Sequence, residues 1–244
     1  MTTETSTPYS KQASKKTARI AGMLYLCVGI FGGFAQGFVA PKIYAAGDAV
    51  ATTANVVANS ELVRLGVVAD LANQVFFISL ALVLYGLLKH VQPGVARAML
   101  ALVAVAVAIG SLNAVFLFQG LQVATGASYL TTWGPAGINA MVMLLVEMNH
   151  YGLLIAQIFF GLWLAPLGIL AYKSGLFPKA LAGVLILGTI CYLIDVLAAF
   201  LVPDIGRIVH GYVVIPCAIA EISMVLYLLI VGVRTPNKSA PAIA

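Results

Sequence analysis

Three carboxyl groups lie within long apolar stretches of this 244-residue chain, at Asp70, Asp195 and Glu221. At a helical rise of about 1.5 Å per residue, each would sit about 10 to 20 Å below the outer end of its stretch, in the hydrocarbon region of a bilayer. Burying an ionised carboxylate there costs at least a few kcal/mol, so such residues normally face a bundle interior or a wet cavity. These positions are therefore candidates for proton or ligand chemistry.

Other polar side chains recur at helical spacing beside these carboxyl groups. His150, Gln157, Gly161 and Gly168 are separated by 7, 4 and 7 residues. This spacing places all four in a narrow stripe on one face of a helix. The pattern favours one polar pocket open to the outside, with His150 and His210 at its mouth and Glu221 at its floor. Its predicted residues are Asp70, Asn73, Gln74, Asn113, His150, Gln157, Asp195, His210 and Glu221.

Two other interpretations of these residues stay open. Small and polar side chains also serve helix packing, where interhelical hydrogen bonds contribute about 0.6 to 2 kcal/mol each. His150 and His210, with the carboxylates, could alternatively ligate zinc or a haem iron in a membrane-embedded enzyme or redox protein. The chain has no HExxH or HxxxH pairing, no GxSxG and no phosphate-binding loop, so no specific motif implies a cofactor or a catalytic residue.

Composition identifies the environment of these side chains. Hydrophobic residues make up 62% of the chain and charged residues only 9%, whereas soluble domains carry about 25% charged residues. A soluble globule is therefore excluded. The net charge of +5 does not indicate a nucleic-acid partner, because most of the Lys and Arg residues fall at one end of the predicted helices.

The apolar runs predict an all-α polytopic bundle with six transmembrane helices. A disordered tail is expected at residues 1–17, one membrane domain at 18–234, and a second tail at 235–244. A run at 136–146 is too short to cross and predicts a separate interfacial or re-entrant helix. The predicted spans are 20–40, 62–88, 95–123, 149–178, 179–202 and 209–233.

Basic residues predict the orientation. One side of the predicted membrane domain holds Lys42, Arg64 and Arg207, and the other holds all the rest of the Lys and Arg residues. The positive-inside rule then places both termini in the cytoplasm. The basic residues assigned to the inner side are Lys11, Lys15, Lys16, Arg19, Lys89, Arg97, Lys173, Lys179, Arg234 and Lys238.

Three motifs resemble an uncharacterised family of bacterial membrane proteins known as domain of unknown function 4386. They are RIAGMLYL at residues 19–26, FFGLWLAPLGILAYKSGLFPKALAGVLI at 159–186, and YLID at 192–195. The block from FFGLWL to KSG-x-x-P is the most specific of them. The resemblance implies a six-helix fold in a bacterial cell membrane, and it brings no established activity or site residue.

The functional expectation is a multi-pass membrane protein that binds or moves a small solute or protons. The alternatives are the metal- or haem-dependent enzyme and a helper subunit whose helices pack against a partner protein. The expected partners are the lipid bilayer, a solute or protons, and a second copy of the chain, with no nucleic acid.

Overall fold

A computed structural model describes the backbone of residues 8–126 and 133–234, and the side chains from residue 14 onward. Within these ranges the regular secondary structure is entirely helical. It includes six helical segments that are long and apolar enough to cross a membrane. The predicted fold class is therefore confirmed. The six segments are Ser14–Ile43, Ser60–Leu88, Pro93–Ala124, Gly134–Ser174, Lys179–Leu201 and Pro203–Ile230.

The first span combines three helical elements. Helix α1 covers Pro8–Gly32, a π-helical turn covers Gly33–Val39, and α2 covers Ala40–Ile43. Residues 8–17, expected to be disordered, are helical here; Pro8 suits a first helical position because its ring fixes a helical φ and the missing N–H has no intrahelical partner there. Residues 1–7 and the predicted tail at 235–244 lie outside the described residues.

A short helix that the sequence analysis did not predict follows the first span. Helix α3 covers Ala49–Ala58, and at ten residues it is too short to cross a membrane. Asp48 caps it, because its Oδ1 accepts a hydrogen bond of 2.8 Å from the Ala51 amide. The second and third spans then follow as α4, Ser60–Leu88, and α5, Pro93–Ala124.

The fourth span corrects the predicted interfacial helix at 136–146. That segment is the beginning of α6, Gly134–Leu162, and it continues without interruption through Asn149. The residues between the two predicted elements, Glu147 and Met148, are good helix formers, so nothing ends the helix there. The helix is interrupted later, at Trp163, before α7 covers Leu164–Ser174. Pro166 explains the break, because it has no N–H to donate to the Leu162 carbonyl.

The last two spans are α8, Lys179–Leu201, and α9, Pro203–Ile230. Helix α9 begins before the predicted start at residue 209, with Pro203 in its first turn. Only Val202 separates the two helices, so they must turn sharply. Gly206 makes this turn possible, since a Cβ atom at that position would lie 2.8 Å from the Ala198 carbonyl oxygen.

The described residues belong to two compact units, whose boundaries fall within α1, α4, α5 and α6. Unit 1 contains Met1–Tyr25, Ser79–Val103 and Phe160–Ala244, and unit 2 contains Leu26–Ile78 and Ala104–Phe159. Glycines allow close helix packing in unit 1. A Cβ atom at Gly22 of α1 would lie 2.9 Å from the Leu229 amide of α9, and one at Gly188 of α8 would lie 3.1 Å from the Ala220 side chain.

An apolar core stabilises unit 2. It joins buried side chains from α2, α3, α4, α5 and α6, and several half-buried residues, including Tyr44 and Leu117, pack against it. The short helix α3 contributes Val56, which is fully buried. The core residues are Ile43, Val56, Val63, Leu121, Val123, Val142 and Val146.

Contacts in unit 1 bring four basic segments to one end of that unit. Lys173 Nζ donates a hydrogen bond of 2.8 Å to Gln92 Oε1, which joins the α7–α8 turn to the α4–α5 turn. The Arg234 amide donates to the Leu176 carbonyl at 2.9 Å, and Gly232 packs against the Lys15 backbone. We call this the basic end of unit 1. Its described cations are Lys15, Lys16, Arg19, Lys89, Arg97, Lys173, Lys179 and Arg234.

Candidate functional site

Glu221 of α9 lies between two tyrosine hydroxyls in unit 1. Tyr25 of α1 donates a hydrogen bond of 3.2 Å to Glu221 Oε2. Tyr192 of α8 donates a second, short hydrogen bond to Glu221 Oε1. One carboxyl group therefore joins three helices, and each of its oxygens has its own donor.

Aromatic packing fixes the positions of both tyrosines. The ring of Trp163, which is fully buried, meets the Tyr25 ring edge-on at 5.6 Å between centroids. Phe160 meets Tyr192 in the same manner at 5.5 Å, and Gly161 leaves space for the Tyr192 side chain. The FFGLWL motif at residues 159–164 thus surrounds the partners of Glu221, although the sequence had not linked this motif to the polar chemistry.

A second pair lies on the same two helices. His210 Nδ1 of α9 is 3.0 Å from Asp195 Oδ1 and 3.1 Å from Oδ2. The Asp195 side chain is only 8% exposed, whereas that of His210 is 61% exposed. The pair therefore connects a buried carboxylate on α8 to an imidazole at the surface of the described chain.

Helices α8 and α9 pack against each other, and we call five of their polar side chains the α8–α9 seam: Tyr192, Asp195, His210, Cys217 and Glu221. Tyr192 and Asp195 are three residues apart on α8, so they share a face of that helix. Cys217 lies between His210 and Glu221 on α9, and its thiol donates to the Gly188 carbonyl at 3.7 Å. Carboxyl, imidazole and phenol groups can all give and accept protons.

Asp70 lies in unit 2 and is buried. Its carboxyl group faces the side-chain amides of Gln36, in the π-helical turn, and Gln74, one turn further along α4. Gln74 fills the space beside Gly110. Asp70 and Gln74, both predicted for the pocket, therefore lie together, and Gln36 adds a partner from the first span. Asn73 packs separately, against Gly32.

Asn113 is paired with Asn149, a residue not predicted for the site. The side-chain Nδ2 of Asn113 donates to the backbone carbonyl of Asn149 at 2.8 Å, and the side-chain Nδ2 of Asn149 donates to the backbone carbonyl of Asn113 at 3.1 Å. Both side chains are buried. This reciprocal pair links the backbones of α5 and α6, which is the helix-packing role that the sequence analysis kept open.

His150 stacks on Tyr44, with their ring centroids 5.4 Å apart. Tyr44 follows the end of α2, and burial together with the nearby Glu147 carboxylate raises the pKa of its hydroxyl. Gln157 lies further along α6 in the same unit. His150 is thus part of an aromatic cluster within unit 2.

The predicted pocket residues occur in both compact units. Asp195, His210 and Glu221 lie in unit 1, and the other predicted residues lie in unit 2. Sequence reasoning missed Tyr25 and Tyr192, which both lie in the motifs that carry the family resemblance. Gln36 and Asn149 lie outside those motifs, and no sequence pattern marked them as site residues. The predicted and missed residues in unit 2 are Gln36, Asp70, Asn73, Gln74, Asn113, Asn149, His150 and Gln157.

The possibility of a metal centre depends on clustered ligands. Within residues 8–126 and 133–234, no group of three or more His, Cys, Asp or Glu side chains is arranged to hold a metal ion. A structural zinc site would require four such ligands and a catalytic one three. The described side chains therefore give the zinc interpretation no geometric support.

One of three comparisons with known proteins matched this chain. A family model described as "Domain of unknown function (DUF4386)" matches residues 20–232. No curated protein and no solved structure matched the chain. The matched region begins at Ile20 and extends through the last span. It therefore includes the whole α8–α9 seam and both tyrosine partners of Glu221. The chain is an integral membrane protein that belongs to the DUF4386 family.

Proposed function

We propose that this protein moves protons, alone or together with a small solute, along the α8–α9 seam. The observation that supports the proposal is the Glu221 carboxyl group, held by the Tyr25 and Tyr192 hydroxyls within a membrane span. Carboxyl groups at such depth mark ion and proton pathways in membrane proteins. Glu221 would be the group that takes up and releases the proton.

The depth of Glu221 supports this role. At about 1.5 Å per residue, it lies about 27 Å along α9 from Pro203 and about 14 Å from Ile230. Helix α9, with 28 residues, is about 42 Å long and exceeds the hydrocarbon thickness of about 30 Å by about 12 Å. Glu221 lies more than about 12 Å from both ends, so it stays within the hydrocarbon region at whichever end the excess lies. The two hydroxyl donors offset part of the cost of its charge when it is ionised, and a protonated Glu221 could return the hydrogen bond to a tyrosine oxygen.

The Asp195–His210 pair would connect Glu221 to the other end of the two helices. Asp195 lies about 9 Å from Leu201, the end of α8, and His210 lies about 11 Å from Pro203, the start of α9. Imidazole is the side chain best suited to exchange protons with water near neutral pH. His210 would accept a proton and pass it to Asp195 toward the interior of the seam.

The same proposal includes an orientation. The basic end of unit 1 gathers the cations of four chain segments, and cytoplasmic loops carry an excess of Lys and Arg. We therefore infer that both termini are cytoplasmic in a bacterial cell membrane. His210 would then face the outside, and Glu221 would lie closer to the cytoplasm.

Proton entry into vesicles tests this route. The purified protein is reconstituted around a pH-sensitive dye, a pH gradient is imposed, and the membrane potential is held at zero with potassium and an ionophore. We expect wild-type protein to carry protons faster than empty vesicles. Asp195→Asn should lower the rate by about 10- to 100-fold, since the removal of a positioned proton-transfer group typically costs at least this much.

The matched control for Asp195 is Asp204→Asn. Asp204 has an ion-pair partner, Arg207, at 2.8 Å, but its side chain is 94% exposed and lies outside the seam. This variant should keep the wild-type rate. Equal rates for wild-type vesicles and empty vesicles would overturn the proposal, and equal losses in the two variants would remove Asp195 from the route.

A further inference from the structure

A groove on α1 lies apart from the α8–α9 seam. It has a volume of about 430 Å³, and Lys15, Lys16, Arg19, Ile20 and Met23 line it. These residues stand at the start of the first span, which begins at Ser14. The groove is thus at the boundary between the basic end of unit 1 and the apolar part of the span.

The polar part of the groove is entirely cationic. Lys15, Lys16 and Arg19 are exposed, and none of them has a carboxylate within ion-pair distance in the described part of the chain. The carboxyl residues described in unit 1 all lie on α8 and α9. Neighbouring cations of the basic end add to the positive potential instead of cancelling it. A ligand of this groove should therefore be an anion.

The apolar part of the groove continues along the same helix face. Ile20 follows Lys16 by four residues and Met23 follows Arg19 by four, so each apolar side chain lies one turn deeper in the span than a cation. Ile20 is 45% exposed and Met23 is 59% exposed. This order, charge at the end of the span and open apolar surface below it, matches a molecule with an anionic head and a hydrocarbon tail.

We propose that this groove binds an anionic phospholipid, with its phosphate headgroup on Lys15, Lys16 and Arg19 and an acyl chain along Ile20 and Met23. A guanidinium can hold a phosphate with two parallel hydrogen bonds, and the two ammonium groups add point charges. Basic pockets beside transmembrane helices are suited to such headgroups. A soluble phosphate would use the cations but would leave the apolar half of the groove uncovered.

Lipid binding can be measured on the full-length protein in detergent. Phosphatidylglycerol is titrated, and bound lipids are counted by native mass spectrometry while the thermal midpoint of unfolding is recorded. Phosphatidylcholine and inorganic phosphate serve as separate arms. We expect phosphatidylglycerol to bind and to raise the midpoint, with little response to the other two probes.

The decisive variant combines Lys15→Gln, Lys16→Gln and Arg19→Gln. Its affinity for phosphatidylglycerol should fall on the order of 100-fold, because three cations near an anionic headgroup are lost together. The charge-matched control is Lys89→Gln, Arg97→Gln and Lys179→Gln, which removes the same residue types from the same end of unit 1 without changing the groove. This control should keep most of the affinity.

Size-exclusion chromatography and circular dichroism verify that both triple variants are folded before their affinities are compared. Equal loss of affinity in the two variants would overturn the proposal, since the effect would then come from net charge alone. A response to inorganic phosphate as strong as that to phosphatidylglycerol would also overturn it, because the apolar half of the groove would then contribute nothing.

Discussion

Replacing Glu221 by glutamine should stop proton entry into vesicles while leaving the protein folded. Glutamine has the same shape, and its carbonyl oxygen can still accept a hydrogen bond from Tyr25 or Tyr192. It cannot take up or release a proton at physiological pH. We expect the dye-detected rate to fall on the order of 100-fold or more, to the level of empty vesicles.

Two further variants separate a proton role from a structural one. Glu61→Gln removes a carboxyl group whose side chain is 88% exposed at the start of α4, and this variant should keep the wild-type rate. Glu221→Asp retains a carboxyl group on a shorter side chain and should recover part of the rate lost in the glutamine variant. Wild-type transport by a folded Glu221→Gln protein would contradict the proposed role of Glu221.

Of the substitutions proposed for this protein, Trp163→Ala should cause the largest loss in the free energy of unfolding. Its ring is fully buried and packs against Tyr25, so its removal leaves a cavity next to the Glu221 site. Large-to-small changes of this kind cost about 3 to 5 kcal/mol in well-packed interiors. The free energy of unfolding, measured by denaturant titration in mixed micelles, should fall by about this amount.

The other tryptophan of the chain provides the matched control. Trp133 is 47% exposed and stands immediately before α6, so Trp133→Ala should change the unfolding free energy by about 0.5 kcal/mol or less. Similar losses for the two tryptophans would contradict the packing role given to Trp163. A normal stability with a lowered proton rate would instead indicate that Trp163 acts only by positioning Tyr25.

The six spans could be predicted because each one depends on a long run of apolar residues, a property that local sequence displays directly. Helix boundaries, short helices and local distortions were harder to predict, because they depend on a few neighbouring residues. The run at 136–146 looked like a separate helix because of its length, yet Glu147 and Met148 let it continue into α6. Helix α3 has a moderately apolar sequence flanked by turns, and the π-helical turn at Gly33–Val39 has no periodic signal.

The site was predictable to the extent that its residues are unusual in a membrane span. Asp195 and Glu221 were identified because intramembrane carboxyl groups are rare. Tyr25 and Tyr192 were missed because a tyrosine in an apolar span looks like a core residue, and its partner depends on how distant helices pack. His150 and His210 were expected at one pocket mouth, and that expectation stays a prediction. Within its own unit, His150 stacks on Tyr44 and His210 pairs with Asp195.

Infrared difference spectroscopy can observe the protonation of Glu221 itself. Wild-type protein in lipid is compared with Glu221→Gln protein while the bulk pH is stepped across the neutral range. We expect a carboxyl C=O band that gains and loses intensity with pH in the wild type and is missing from the variant. Identical difference spectra for the two proteins would show that Glu221 does not exchange a proton, and the proposed route along the α8–α9 seam would then be wrong.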